Sequence, residues 1–340
     1  MTSGATISSS VLSGFDDRLA ARGLDPYALA CGCEIPARAW CDDGVELPLA
    51  AFVRLLQRGA SASGDQAFGW DAGRDFDLAA LGALGGAVLA APDLGSALST
   101  FAGYLRLVQS TSELRFEVEG HEARLSYRIL DPDIWPRQQD AEFSLSIFVG
   151  LIRACLGPGW RPKEIGFEHA ASRPEQAWQR DVGPRCRFDQ ADNAVLLPLA
   201  GLDQPMPARD DRAWSQRSRA LRLAMRHRNR ARALADRVAS AVLASLGETP
   251  VDQEGIAGGL GLSRRSLHRR LEAEGTGFNR ILQDCRQRLA QHRLVHGDQP
   301  LSQIALELGY SDQSAFARAF KRQVGLTPGE YRQRHRKVGA

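Results

Sequence analysis

Residues 264–270 read Arg-Arg-Ser-Leu-His-Arg-Arg, and residues 313–322 read Gln-Ser-Ala-Phe-Ala-Arg-Ala-Phe-Lys-Arg. Both stretches interleave single apolar residues with planar or cationic donors. A guanidinium can pair bidentately with guanine O6 and N7, and a carboxamide with adenine N6 and N7. Charged donors that meet phosphate instead hold a protein in register without reading sequence. At helical spacing Arg265, His268 and Arg269 share one outer face with the base-reading role, as do Gln313, Ser314 and Arg318. Arg264, Arg270, Lys321 and Arg322 flank them as candidate phosphate contacts. For any one arginine the plain alternative is a solvated surface charge.

These side chains need two short helices to carry them, and the sequence supplies that framework twice. Ile256-Ala257, Leu260, Gly261 and Ser263 are followed by Leu267 and Leu271; Ile304-Ala305, Leu308, Gly309 and Ser311 are followed by Phe316 and Phe320. The first half recurs after 48 residues and the second after 49, so the second copy carries one extra residue behind its serine. Apolar residues at i, i+1 and i+4 make the stripe of a short helix. The alanine lets a second helix cross close by, the glycine suits a positive φ at the helix end, and Ser263 and Ser311 suit the N-caps of the following helices. Leu267, Leu271, Phe316 and Phe320 then point inward. The pattern predicts two helix-turn-helix units, each offering its second helix to a DNA major groove. Between them Phe278–His296 runs without proline, with Ile281, Leu282, Cys285, Leu289 and Leu294 apolar. As a helix it would span about 28 Å, near the roughly 34 Å turn of B-DNA. One chain could thus reach two successive grooves.

This region resembles the AraC/XylS family of transcriptional regulators. The resemblance is carried by Gly309-Tyr310-Ser311-Asp312-Gln313-Ser314-Ala315-Phe316, then Arg318-Ala319-Phe320-Lys321, then Gly325-Leu326-Thr327-Pro328 and Tyr331-Arg332. It implies sequence-specific binding to a double-stranded DNA operator, work with RNA polymerase as an activator, and action as a homodimer. Gly258-Gly259 departs from a good helix former; each interior glycine costs up to about 1 kcal/mol relative to alanine, which predicts a softer first unit.

Charge is divided along the chain. Residues 209–340 hold 25 Lys and Arg against 13 Asp and Glu, a net +12, whereas residues 1–208 hold 18 against 27, a net −9. A basic half suited to nucleic acid is joined to an acidic half that avoids it. Residues 1–14 lack the basic and apolar stretches of a signal peptide, and no apolar run approaches the 18 residues of a membrane span; no membrane partner and a cytoplasmic location are expected. Cys31, Cys33, Cys41, Cys155, Cys186 and Cys285 match no paired zinc-ligand spacing, so reduced packing cysteines and no metal are expected, with metal or redox sensing at the Cys31-Gly-Cys33 and Cys41 cluster the lesser alternative; no cofactor is expected.

The acidic half mixes periods. Helical spacing is predicted about 8–31 (with a turn or short helix opening at Asp25-Pro26), 47–59, 77–90, 94–108, 138–156 and 174–182. Alternation over Leu114, Phe116, Val118 and Leu125, Tyr127, Ile129 about Gly120-His121 predicts a hairpin, Ile165 and Phe167 a short strand, and 185–199 a second hairpin about Asp192-Asn193. The glycines at 82, 85 and 86 lack the Lys-Ser/Thr end of a phosphate loop, and close helix packing explains them better. Gly23-Leu24-Asp25-Pro26, Phe68-Gly69, Leu81-Gly82, Leu84-Gly85 and Phe188 with Asn193 and Val195 resemble, more loosely, the arabinose-binding type of N-terminal domain found in some members of that family. The resemblance implies an effector-binding or dimerisation domain and does not imply a sugar.

The expected architecture is therefore an α+β N-terminal domain with a mostly antiparallel sheet, and an all-α C-terminal domain with two helix-turn-helix units. The boundaries are 1–208 for effector binding or dimerisation, 209–233 for an Arg-rich linker helix, and 234–340 for DNA binding. Ten arginines lie between Arg209 and Arg237; two readings stand, namely extra phosphate contacts or an interdomain lever, and a solvated helix face. Trp70, Trp135, Trp160 and Trp178 could line an effector pocket or fill a core, and no effector-binding residue is assigned. His121 and His169 lack a nucleophile or paired carboxylate, so no catalytic residue is expected. A small-molecule-controlled regulator leads; a sensor that only dimerises or binds a protein, and an enzyme–regulator fusion, are the other classes.

Overall fold

The computed structural model describes residues 4–183, 185–231, 233–247, 251–297 and 299–336. They form two compact units, one from Gly4 to Arg228 and one beginning at Asn229.

The first unit contains, in chain order, β1 (Thr6–Ser8), α1 (Phe15–Ala20), α2 (Pro26–Cys31), β2 (Glu46–Pro48), α3 (Leu49–Ser63), α4 (Phe68–Arg74), α5 (Gly82–Leu89), α6 (Leu94–Tyr104), β3 (Ser112–Glu119), β4 (Glu122–Ile129), α7 (Gln138–Leu156), β5 (Glu164–Gly166), α8 (Glu175–Asp181), β6 (Cys186–Arg187) and β7 (Asn193–Pro198), and most of α9 (Asp211–Ala231). The main sheet has the order β3-β4-β7-β5-β6, antiparallel except between β5 and β6. A separate antiparallel pair joins β1 to β2.

Several features depart from the sequence expectation; among them, the run 77–90 is broken at Gly82 into a 3-10 turn over Leu78–Leu81 and α5, and 94–108 divides into α6 and a 3-10 turn over Leu105–Leu107. The segment 185–199 is not a hairpin: β5 is inserted between β6 and β7, and β6 pairs with it in parallel. Residues 8–31 are not one helix, because Gly14 and Gly23 at positive φ break the run on either side of α1. The β1–β2 pair carries no alternation long enough to read, since each strand is three residues long.

Helix α7 is the centre of this unit. Its first two turns lie against α4 so closely that a methyl group at Gly69 would collide with the Gln139 carbonyl, and one at Gly73 with the Phe143 carbonyl. Two glycines four residues apart thus let two helix backbones meet. Around that contact Phe15 stands edge-on to Phe52 at 5.8 Å and to Phe143 at 5.7 Å. Such pairs add about 0.5–1.5 kcal/mol each beyond the area they bury. Trp70 and Trp178, both fully buried, cross at 5.6 Å in this core. Trp160 and Trp135 are half-buried, and the Arg137 guanidinium lies 5.6 Å from the Trp135 ring.

The N-terminal part of α9 also belongs to this unit. Trp214, Ser218, Leu221, Met225 and Arg228 recur at alternating four- and three-residue steps and turn inward, with Leu221 in the core. Arg217 donates to the Gly86 carbonyl at 2.8 Å, and Arg228 donates to the Leu107 carbonyl at 3.0 Å and pairs with Glu46.

A buried polar network ties α7 to the sheet. The Tyr127 hydroxyl donates to Asp140 at 2.8 Å and accepts from Gln109 at 2.7 Å. Arg137 forks onto Glu168 at 2.8 and 2.7 Å, and Asn193 bonds both the Glu168 carboxylate and its backbone N–H. Burial pushes the Asp140 carboxyl up to about 7, against the pull of Tyr127 and Arg137. Burial likewise raises Glu142 to about 7, while it lowers His169. A carboxyl whose folded-state pKa is raised binds its proton more tightly when folded. Its contribution to stability is complete at low pH and is lost as pH rises through about 7. His169 acts in the opposite sense in the acid range, so the informative quantity is a difference between variants. Relative to Asp140→Asn, the wild-type protein is expected to lose up to about 1.4 kcal/mol per pH unit across the interval between the ordinary carboxylate range and about 7. Thermal melts of both proteins from pH 4.5 to 8 check this; parallel curves would contradict it.

Candidate nucleic-acid interface

The second unit is all helical among the described residues: α10 (Leu234–Ser245), α11 (Gln253–Gly259), α12 (Arg264–Ala273), α13 (Phe278–His296), α14 (Leu301–Glu307), α15 (Gln313–Val324) and α16 (Pro328–Arg336). The duplicated pattern is visible directly. Gly261 turns between α11 and α12 with φ 69°, and Gly309 between α14 and α15 with φ 73°, a region that costs other residues about 1–2 kcal/mol.

The caps of the two presenting helices differ. Ser263 accepts from the Ser266 N–H at 3.2 Å, as expected. In the second copy the cap is Asp312, accepting from the Ala315 N–H at 2.7 Å, and Ser311 donates to Asp312 at 3.1 Å. The one-residue stretch in the repeat is therefore the displacement of the cap from serine to the next residue. Asp312 combines a hydrogen bond with a negative charge at the positive end of the helix dipole, and these bonds hold its carboxyl below the usual carboxylate range.

Inward faces are apolar in both copies. Leu267 and Leu271 are fully buried, as are Phe316 and Phe320, which meet edge-on at 5.8 Å. Facing out, Arg265, His268 and Arg269 on α12 and Gln313, Ser314 and Arg318 on α15 are all exposed. Arg264, Arg270, Lys321 and Arg322 are exposed beside them. Among the described residues, the six arginines and the lysine in this group form no ion pair. His268 is the exception, its Nδ1 lying 3.2 Å from Glu272 one turn on. Each unit thus offers a donor-rich surface with few internal acceptors.

Helix α13 joins the copies. Ile281, Leu282 and Cys285 are buried where α13 packs on α10, with Cys285 Sγ 3.8 Å from the Ala239 carbonyl, and α10 in turn meets α11 and α12. Ala290 and Leu294 are buried in the core of the second with Ile304, Ala305, Leu308, Phe316 and Phe320. Arg286 donates to the Gly309 carbonyl at 3.1 Å and lies 4.9 Å from the Tyr310 ring, so α13 grips the turn of the second copy. Gln323 donates to Gln283 at 3.3 Å. Sequence reasoning missed Arg286, and it missed Glu274, whose carboxylate accepts from the Leu234 and Ala235 N–H groups at 2.8 Å and caps α10 from 39 and 40 residues away. Neither pairing leaves a local signature. Gly258 and Gly259, exposed at the end of α11, have open space where a side chain would stand, so packing does not require them.

Among the described residues no group of three or more His, Cys, Asp or Glu side chains is arranged to hold a metal ion, and no helix is long and apolar enough to cross a membrane.

The capping geometry gives a direct expectation. Asp312→Ala should cost about 0.5–2 kcal/mol, whereas Ser311→Ala, which removes only an exposed donor, should stay within about 0.5 kcal/mol. Urea unfolding of both variants decides it; the reverse ranking would return the cap to Ser311.

Comparison with known proteins adds the family. Residues 23–206 match the family described as "Arabinose-binding domain of AraC transcription regulator, N-term", and residues 256–334 match a helix-turn-helix domain family. The chain is similar to the "Ornithine utilization regulator" of Pseudomonas aeruginosa, 26% identical over 93% of each chain. It is similar to the "HTH-type transcriptional regulator VirS" of Mycobacterium tuberculosis, 28% identical over 98% of each. It also matches the "HTH-type transcriptional activator RhaR" of Klebsiella pneumoniae, 33% identical over 56% of this chain and 64% of that one. Domains and relatives alike are those of regulators rather than enzymes. With the arabinose-binding match alone spanning more than half of its residues and a duplicated helix-turn-helix behind it, the chain belongs to the AraC family of transcription regulators, DNA-binding proteins with an arabinose-binding-type N-terminal domain.

Proposed function

We propose that this regulator is an activator switched by a small molecule, with residues 1–208 binding the effector and dimerising, 209–233 forming the connecting helix, and 234–340 engaging the operator alongside RNA polymerase in the cytoplasm. The observation that carries the DNA end is the pair of exposed donor faces on α12 and α15, built on one repeated frame and joined by a single helix. Arg265, His268, Arg269, Gln313, Ser314 and Arg318 read base edges; Arg264, Arg270, Lys321 and Arg322 meet phosphates. The effector end is supported by the arabinose-binding family match, and activation by the similarity to RhaR, itself named an activator. For an effector to switch the protein it must bind one state more tightly than another; equal affinity for both would change nothing.

Two outcomes are expected. On an operator obtained by selection from random duplexes, Arg318→Ala should cost about 1–3 kcal/mol of specific affinity and relax base preference at one position. Lys321→Ala should weaken binding evenly and reduce the salt slope by about 0.9. Fluorescence anisotropy across KCl concentrations separates the two, and indistinguishable variants would sink the assignment. In a thermal-shift screen of the full chain against amino acids, polyamines and fatty acids, a true effector should raise the melting temperature and alter operator affinity. Silence across the screen favours an N-terminal domain that only dimerises or binds a protein.

A further inference from the structure

The arginines of α9 divide into two sets. Arg217 and Arg228 are engaged by the first unit, one at the Gly86 carbonyl and the other at the Leu107 carbonyl and Glu46. Arg212, Arg219, Arg222 and Arg226 are exposed and, among the described residues, form no ion pair. At 100° per residue these four fall within one side of the helix, turned away from the stripe of Trp214, Ser218, Leu221, Met225 and Arg228. From Arg212 to Arg226 the stripe runs about 21 Å. No acidic residue follows Asp211 in the helix, and Asp211 is itself taken by Arg209 at 2.8 Å.

Two features set this face apart from an ordinary solvated one. Isolated surface helices mix charges at i, i+4 for mutual support; here four like charges stand together, which costs stability unless a counter-charge offsets it. The face is also held in place, since the inward stripe and its two arginine clamps fix the rotation of α9 about its own axis. A row of guanidinium groups on a helix face of fixed rotation suits a polyanion of regular spacing. Duplex DNA carries one phosphate per about 1.7 Å of axis, and the unit that holds the two helix-turn-helix copies begins at Asn229, three residues after Arg226.

We infer that the outer face of α9 is a further DNA-backbone contact, in which Arg212, Arg219, Arg222 and Arg226 add sequence-independent phosphate binding to that of α12 and α15. The inference rests on the DNA-binding reading of the C-terminal unit and assigns to the connecting helix a share of affinity without specificity.

The test uses the full chain and a random-sequence duplex of about 40 base pairs, long enough to flank any single bound chain and free of operator information. Anisotropy titrations over 50–200 mM KCl give the slope of log K against log salt. The quadruple variant R212Q/R219Q/R222Q/R226Q is expected to flatten that slope by about 2–4, at about 0.9 for each phosphate no longer neutralised, and to bind at least about tenfold more weakly at 100 mM. R212K/R219K/R222K/R226K should restore both, because the DNA backbone asks for charge and not for a fork. K321Q/R322Q serves as the reference on the helix-turn-helix surface. If the glutamine variant keeps the wild-type slope while K321Q/R322Q flattens it, the α9 assignment is wrong and the face belongs to another partner. If the wild-type chain shows no salt-dependent duplex binding, the underlying DNA-binding reading fails instead. Equal melting temperatures for the glutamine and lysine variants guard against loss of fold.

Discussion

The DNA-binding unit depends on one helix being buried on two sides at once. Ile281, Leu282 and Cys285 are buried along the first half of α13, which packs on α10, and Ala290 and Leu294 commit the second half to the core of the second helix-turn-helix copy. A helix that changes partners midway cannot slide or turn without opening one core. At 1.5 Å per residue its 19 residues set a separation of about 28 Å between the ends. Arg286 adds a lock at the point where rotation of the second copy would begin, by holding the Gly309 carbonyl and covering Tyr310. The faces on α15 take their position from that arrangement directly, and those on α12 through α10 and α11.

The N-terminal unit uses a comparable device with different chemistry. Helix α7 meets α4 backbone to backbone at Gly69 and Gly73, and on the sheet side it carries Arg137 at its N-cap and Asp140 in its first turn, into a buried network with Tyr127, Glu168 and Asn193. Buried polar networks of this kind are costly when incomplete and stiffening when satisfied. The stretch of α9 that belongs to this unit is fixed to it by carbonyl-directed arginines.

Much of this was legible in the sequence, for identifiable reasons. Phe278–His296 and Gln138–Leu156 are long, strongly periodic runs, and the structure gives them those bounds. The hairpin about Gly120-His121 joins strands that neighbour each other in the chain, so alternation and turn residues suffice. The helix-turn-helix pairs could be read because a repeat exposes which residues are structural: Gly261 and Gly309 stand at matched turns. What stayed hidden was non-local or subtle. The insertion of β5 between β6 and β7 depends on pairing order, which periodicity does not encode. Glu274 caps a helix some 40 residues before it. Ser311 and Asp312 are both good caps, and only the geometry shows that the aspartate takes the role. The arginines of α9 look alike in sequence; burial of Leu221 and Ser218 is what separates the clamping pair from the outward four.

Whether one chain reads two successive major grooves at a spacing fixed by α13 is tested most directly by hydroxyl-radical footprinting of the full chain on a duplex selected from a random pool. Protected segments are expected in pairs, on one face of the DNA and about one helical turn of 10–10.5 base pairs apart. Isolated single segments, or pairs whose separation wanders between selected sites, would contradict a spacing set by that helix.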